Sequence, residues 1–426
     1  MSMVMTSDLD SAVEAYASLD AHALADRWSL YARLRREAPV YRYGHTVLVT
    51  RYSDISDILA DPVTFTNGGE GRDSLTPEVL RRLSSRERTM IAEIDDYHSH
   101  WLAAVDGQRH TELRAIGQRV FSPRALRNLE PRIQEIVDEL LAAVEGRAQI
   151  EFVHDFAYRL PLTVICDILD VPDDLRGPLH ETWLGMLPAR TGLAWRNQLP
   201  LGLESANAKY HEFNRMLGEL LDIRRGRPTT EIMSNLLAAE ADPSVDDRDV
   251  IGLMMILFAA GHQTTADLLG SGLHALLTDR PQWELLCAEP DLVTNAVEEV
   301  LRYRSPSQDI AQRVVAVPTT VAGVPLDPGQ HVTAVLGSAN RDESVFEAPE
   351  VFDIRRTDAN KHMAFGKGVH FCLGSPLSKM ETKLALTAFA ARYPDCELVD
   401  PEPAWMPNTH FLGLTEMQLV LDPARR

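Results

Sequence analysis

Cysteine is scarce in this 426-residue chain. Its four copies, Cys166, Cys287, Cys372 and Cys396, stand far apart and form no C-x-x-C pair. That argues against a disulfide framework or a structural zinc site and fits a reducing cytoplasm. Long apolar runs are also missing. The most apolar stretch, Ile251 to Ala260, is too short to span a bilayer. Met1 to Asp10 has neither the basic start nor the apolar run of a signal peptide or membrane anchor. Positive charge is in deficit, with 42 Lys and Arg against 62 Asp and Glu, a net charge of −20. Nucleic acid and anionic membrane surfaces both recruit cations, so neither is an expected partner. The acidity reads instead as solubility through self-repulsion. No Pro/Gly/Ser linker divides the chain, and no flavin or iron–sulfur motif is fused to it.

What remains is ordinary globular composition, 45% hydrophobic and 24% charged. Trp28, Leu30, Tyr31 and Leu34 among charges predict a helix over about 28–38. Val40 to Thr50 reads as a hairpin turning at Gly44-His45, and Ser53 to Leu59 as a short helix capped by Ser53. From Asn67 to about Asp106 a long polar segment shows helical character only near Pro77 to Arg88; connections of that length are usually functional. Helical periodicity then dominates over 107–121, 123–145, 156–170, 177–190, 205–225, 231–240, 247–278, 281–288 and 291–303. A β-rich patch follows at 312–336, then a helix over about 376–393 and a β-tail over 396–422. The expectation is a mainly α protein with small β-sheets near its two ends, folded as one domain over 1–426.

The strongest local signal is Phe365-Gly366-Lys367-Gly368-Val369-His370-Phe371-Cys372-Leu373-Gly374. It places one cysteine in a Gly-rich loop just before a helix. Gly366, Gly368 and Gly374 permit positive φ and close backbone approach. The helix N-terminus and backbone N–H groups are expected to lower the thiol pKa, as metal ligation requires. One cysteine without a second ligand nearby suits a metal already held by a macrocycle. Cys166, Cys287 and Cys396 read as structural.

This segment resembles the haem-binding loop of the cytochromes P-450, Phe-Gly-x-Gly-x-His-x-Cys-x-Gly. The resemblance implies haem b (heme, iron protoporphyrin IX) buried between a long central helix and the Cys-bearing loop, with Cys372 as axial thiolate. Phe365, Gly366 and Gly374 belong to the cofactor-binding loop. Further segments fit the same family in order along almost the whole chain. Glu299 and Arg302, at i and i+3, resemble its structural Glu-x-x-Arg motif, followed by Ala339-Asn340-Arg341-Asp342 with Phe346, Pro349 and Phe352. His110 and Arg114, with Arg313 and His370, match the partners of the haem propionates, where an Arg fork suits a carboxylate. Leu160-Pro161-Leu162 through Pro172 resembles a packing segment.

Ala259-Ala260-Gly261-His262-Gln263-Thr264-Thr265 resembles the oxygen-binding groove of the family's central helix. Gly261 costs about 1 kcal/mol against Ala inside a helix and so calls for a reason, and a Thr hydroxyl can bend the helix by bonding the i−4 carbonyl. By resemblance Ala260 and Gly261 flank the haem and Thr264 guides protons to bound oxygen. The chain departs from the family at Gln263, where Asp or Glu is usual. An amide has no acid proton to give, so Gln263 orients water or the acid lies elsewhere, Asp267 being one turn on.

The implied reaction is a monooxygenase one: O2 and two electrons convert substrate-H to substrate-OH and water. The same resemblance places the substrate among 68–105, 181–205, the helix face before Thr264, Ser307 to Ala311 and Asn408 to Gly413. Apolar residues there (Leu75, Leu80, Met90, Ile91, Trp101, Trp183, Met186, Leu187, Trp195, Leu199) suggest a small, largely apolar organic substrate. Electrons come from outside, and Lys361, Lys367 and Lys379, with no acid between Asn360 and Met380, suggest a docking patch for an acidic ferredoxin served by a ferredoxin reductase. The expected state is a cytoplasmic monomer. Two other readings stay open at this level: a peroxide-driven oxidant, which Gln263 admits, and a non-catalytic haem sensor or carrier.

Overall fold

The computed structural model describes residues 8–44, 46–67, 81–186, 202–225, 227, 230–238 and 245–422. Helices α1 (Asp8–Ala17), α2 (Ala21–Ala25) and α3 (Arg27–Glu37) pack around Val13, Tyr16, Tyr31 and Leu34. The sequence reading anticipates α3 alone, although Leu9, Val13, Tyr16 and Ala17 recur at helical spacing in α1. The hairpin forms as expected from β1 (Val40–Tyr43) and β2 (Thr46–Val49). Helix α4 (Tyr52–Ala60) follows, but Ser53 lies inside it; Arg51 holds the cap position, and the Tyr52 N–H donates to Asp342 Oδ2 at 2.8 Å.

Strand β3 is Phe65–Thr66. In the long polar segment the expected helical character near 77–88 meets helical residues at 81–82, and α5 (Ser85–His98) then starts at a capping box between Ser84 and Glu87. Residues 68–80, with Leu75 and Leu80, and residues 187–201, with Leu187, Trp195 and Leu199, lie outside the described residues. The helical series continues with α6 (Gly107–Val120), α7 (Pro123–Ala143), α8 (Arg159–Ile168), α9 (Asp173–Met186), α10 (Leu203–Arg225) and α11 (Glu231–Leu237). The helix expected over 156–170 is split: a π-helical turn at Val153–Ala157 precedes α8, after the short strand β4 (Gln149–Glu151).

Helix α12 (Asp247–Thr278) is 32 residues long and starts at a capping box between Asp246 and Asp249. From Thr265 to Leu277 it is buried throughout. Helices α13 (Arg280–Ala288) and α14 (Val293–Tyr303) follow, then β5 (Ala311–Val315), β6 (Thr319–Val321), β7 (Val324–Leu326), β8 (His331–Ala334) and α15 (Leu336–Ala339). Helix α16 (Ser375–Arg392) and strands β9 (Glu397–Leu398) and β10 (Gln418–Val420) complete the described chain. The larger sheet has the order β1-β2-β8-β5-β3, antiparallel except for β2 with β8. A second sheet, β4-β10-β9, ties the tail to the middle of the chain. One apolar core runs from Ile94 to Leu421, with α12 through its centre. No helix among the described residues is long and apolar enough to cross a membrane.

Candidate active site

The Cys372 loop is held by its own backbone and by side chains outside it, among them Asn340 and Arg114, whose Nη2 donates to Phe371 O at 2.7 Å. Gly366 N–H donates to Met363 O at 2.8 Å and Cys372 N–H to Phe365 O at 2.9 Å. Met363 N–H donates to Asn340 Oδ1 at 2.6 Å. Gly366 and Gly368 take φ of +69° and +75°, and a Cβ on Gly368 would overlap the Leu59 carbonyl oxygen. Gly374 departs from the expectation. Its φ is −83°, and a Cβ there would meet no protein atom within 4 Å.

Behind the loop stands a wholly buried ion pair. Arg302 Nε and Nη2 contact Glu299 Oε2 and Oε1 at 2.7 and 2.8 Å, both side chains being 0% exposed. Arg302 Nη1 also donates to the Asn340 and Pro349 carbonyls. Glu299 therefore fixes Arg302, Arg302 fixes the Asn340 segment, and Asn340 fixes the loop. Buried charges persist only when paired and hydrogen-bonded in this way.

The loop forms one wall of a cavity of about 690 Å³. Phe365, Gly366, His370, Cys372 and Gly374 line that wall, while Ala260, Gly261, Gln263 and Thr264 of α12 line another, with Arg114 and Arg313 also on the lining. Thr264 Oγ1 donates to Ala260 O at 2.7 Å, the i−4 back-bond that bends a helix. Gly261 has a second role: a Cβ there would press on Ile165 of α8 at 3.3 Å, so its absence lets the two helices approach. Residues of α5, α9, α10, α11, the first half of α12, the 101–103 turn and the 406–411 tail supply a mainly apolar roof, with Ile91, Trp101, Trp183 and Leu257 among them. Met90 and Met186 are core residues outside this lining.

His110 is the predicted site residue that does not reach the lining. It sits behind His370, ring centroids 4.1 Å apart, with Nε2 buried and without a hydrogen-bond partner among the described residues. Burial, then His370 and Arg114, push its pKa down to about 4. His370 Nε2 lies 2.9 Å from Asp106 Oδ1, and Asp106 Oδ2 accepts the Asn67 N–H at 2.6 Å. The expected acidification of Cys372 is outweighed. Cys372 is open to the cavity; the Gly374 and Ser375 N–H groups and Arg114 favour its thiolate, but enclosure of the sulfur within the fold, away from bulk water, is the larger effect and raises the thiol pKa overall. Ligation to a cation removes that obstacle. Cys166 and Cys396 are buried, and burial pushes both thiols up to about 12, as structural cysteines require.

Three contacts connect residues too far apart in sequence to be read together. Lys379 Nζ lies 2.7 Å from Glu298 Oε1, so the basic stretch around the cysteine does have an acid against it. His362 Nε2 shares that carboxylate at 3.0 Å. Tyr158, not singled out by the sequence, donates its hydroxyl to Gln263 Oε1 at 2.6 Å and lines the cavity.

The donor set fits haem b. One thiol faces helix α12 across an apolar slot, and arginines with a histidine flank it where two carboxylates need cationic partners. The missing Cβ of Gly374 leaves room for a flat macrocycle. Such a site belongs to the haem-thiolate oxygenases. The cytochrome P450 family profile matches residues 204–404. The chain is 34% identical to the cytochrome P450 monooxygenase PikC of Streptomyces venezuelae, covering 93% of this chain and 91% of that one. It is 32% identical to the vitamin D(3) 25-hydroxylase of Pseudonocardia autotrophica, covering 92% and 93%. The structure of CYP109E1 from Bacillus megaterium with testosterone superposes with a TM-score of 0.82 at 31% identity, covering 93% and 98%. This chain belongs to the cytochrome P450 family; it is a haem b oxidoreductase of the monooxygenase class, served by O2 and redox partners.

Proposed function

We propose that residues 1–426 form one catalytic domain that inserts one atom of O2 into a largely apolar organic substrate, by hydroxylation, demethylation or epoxidation. In this reading Cys372 would hold the haem iron through its thiolate, and Phe365, Gly366, Gly374, Ala260 and Gly261 would line the space for the macrocycle. Arg114, Arg313 and His370 bind its carboxylates, with His110 supporting from behind. Thr264, beside Gln263, handles protons. Glu299 and Arg302 serve the loop and touch nothing that reacts. When bound, haem b supplies dioxygen activation at its iron.

The observation that carries the reading is that Cys372 and Thr264 line the same cavity, one on the Gly-rich loop and one on the long central helix α12. The apolar roof supports the substrate class, as do relatives whose names refer to vitamin D(3) or whose structure holds testosterone. An external ferredoxin and its reductase are the proposed electron source, docking near Lys361 and Lys367.

The test is the absorption spectrum of the dithionite-reduced protein under carbon monoxide. A strongly red-shifted Soret band that Cys372→Ala abolishes is expected. A band at the histidine-ligated position, or no haem, would overturn the assignment. Product formation with ferredoxin, reductase and O2 is the companion assay; product only with added peroxide would make the enzyme a peroxygenase instead.

A further inference from the structure

The position before Thr264 holds an amide, and the amide is not loose. Gln263 Oε1 accepts the Tyr158 hydroxyl at 2.6 Å, and Gln263 Nε2 donates to Asp267 Oδ1 at 2.8 Å. The two bonds use one face of the oxygen and one of the two N–H groups. The second N–H has no bond among the described residues, and Gln263 lines the cavity beside Thr264.

Both clamps are built into the fold. Tyr158 follows the π turn: its own N–H donates to Val153 O, five residues back, at 2.8 Å. One extra residue in a turn rotates everything after it by roughly 100° about the helix axis, and such turns cluster at functional sites. Here the rotation aims the phenol at α12. Asp267 is 2% exposed and stands against Gly413, where a Cβ would overlap its Oδ1; that glycine leaves the space the carboxyl fills. Asp267 is absent from the cavity lining, so it acts only through Gln263.

We propose that Tyr158 and Asp267 are positioning residues that lock the Gln263 amide in one orientation, so that position 263 presents a fixed N–H donor to the oxygen groove in place of an acid. This rests on the haem-thiolate reading above. Water held between that N–H and Thr264 then carries protons from solvent, and no proton leaves Gln263 itself. Burial supports the arrangement: it raises the Asp267 carboxyl far above the usual carboxylate range and the Tyr158 hydroxyl to about 12. The Tyr158 phenol therefore keeps its proton at neutral pH, and burial biases the Asp267 carboxyl toward its neutral form.

The experiment uses holoenzyme with Tyr158→Phe, Asp267→Asn and Gln263→Leu, singly and in pairs, with the fraction of reducing equivalents lost as peroxide as one readout. Each clamp variant should raise that fraction by about 3-fold, the change one ordinary hydrogen bond makes. In the Gln263→Leu background the same substitutions should add nothing further. The second readout is infrared. The protonated Asp267 carbonyl band, identified by its loss in Asp267→Asn, should shift to higher frequency in both Gln263→Leu and Tyr158→Phe. Additive peroxide effects, or a band unmoved by Tyr158→Phe, would overturn the inference. The carbon monoxide spectrum of the same samples separates the two failures: without a thiolate-type Soret band the parent reading fails, and with one only this inference does.

Discussion

His262 sits one residue from the Gln263 clamp and shows how much one buried ring can weigh. It is fully buried, 5.0 Å from the Tyr158 ring and 5.1 Å from that of His180. Burial first, then His180, lowers its pKa to about 3. In the unfolded chain the same ring titrates near 6.5. Below about pH 6.5 the unfolded state therefore binds the proton and the folded state does not. Stability is fully present above that pH and is lost progressively as pH falls toward 3. Each unit of separation is worth about 1.4 kcal/mol, so urea midpoints should drop steeply from pH 7 to pH 5. His262→Gln should flatten that slope; an unchanged slope would mean that His262 is not the titrating group. Sequence alone reveals Cys372 because its glycines and its histidine sit beside it. It cannot reveal that Gln263 meets Tyr158 or that Asp106 meets His370, because those partners are 105 and 264 residues apart.

At the scale of elements, the two glycines flanking Cys372 divide the work of the loop between them. Gly368 serves the protein: φ is +75° and the Leu59 carbonyl occupies the place a Cβ would take. Gly374 is under no such constraint, having ordinary φ and no described protein atom within 4 Å of a built Cβ, and in the proposed function it serves the cofactor. Gly368→Ala should displace the loop and lower apoprotein stability by about 1–3 kcal/mol, the range for a side chain forced into such backbone. Gly374→Ala should leave apoprotein stability within about 0.5 kcal/mol while weakening haem uptake. Thermal melts of the apoproteins and haem titrations check both; equal melting losses would refute this division. The motif marks both glycines alike, and only the backbone angles tell them apart. Long helices were legible for the opposite reason, since a 3.6-residue pattern repeats many times in α7 or α12. The π turn at Val153–Ala157 and the two-residue strands β3 and β9 repeat too little to leave a period.

At the scale of the whole molecule, net charge and local charge oppose each other. The chain carries −20, which repels an acidic ferredoxin, while the cysteine face carries Lys361, Lys367 and Lys379. The three are not equivalent. Lys379 is paired with Glu298 and Lys367 bonds Ser56 Oγ, which leaves Lys361 as the exposed cation of the group without such a contact. Salt acts on the two fields differently. At 0.01 M the Debye length is about 30 Å and the global repulsion reaches the docking face; at 0.15 M it is about 8 Å and only nearby charges count. Electron transfer from ferredoxin should therefore be slow at low salt, fastest at intermediate ionic strength, where the global field is screened and the local one survives, and slower again at high salt. Lys361→Glu should remove the maximum and leave a rate that only rises with salt. Lys367→Glu should slow the first electron as well, but Lys367 also lines the cavity, so its haem content must be measured alongside. Stopped-flow reduction across a salt series decides the matter. A maximum that survives Lys361→Glu would place the ferredoxin on another face.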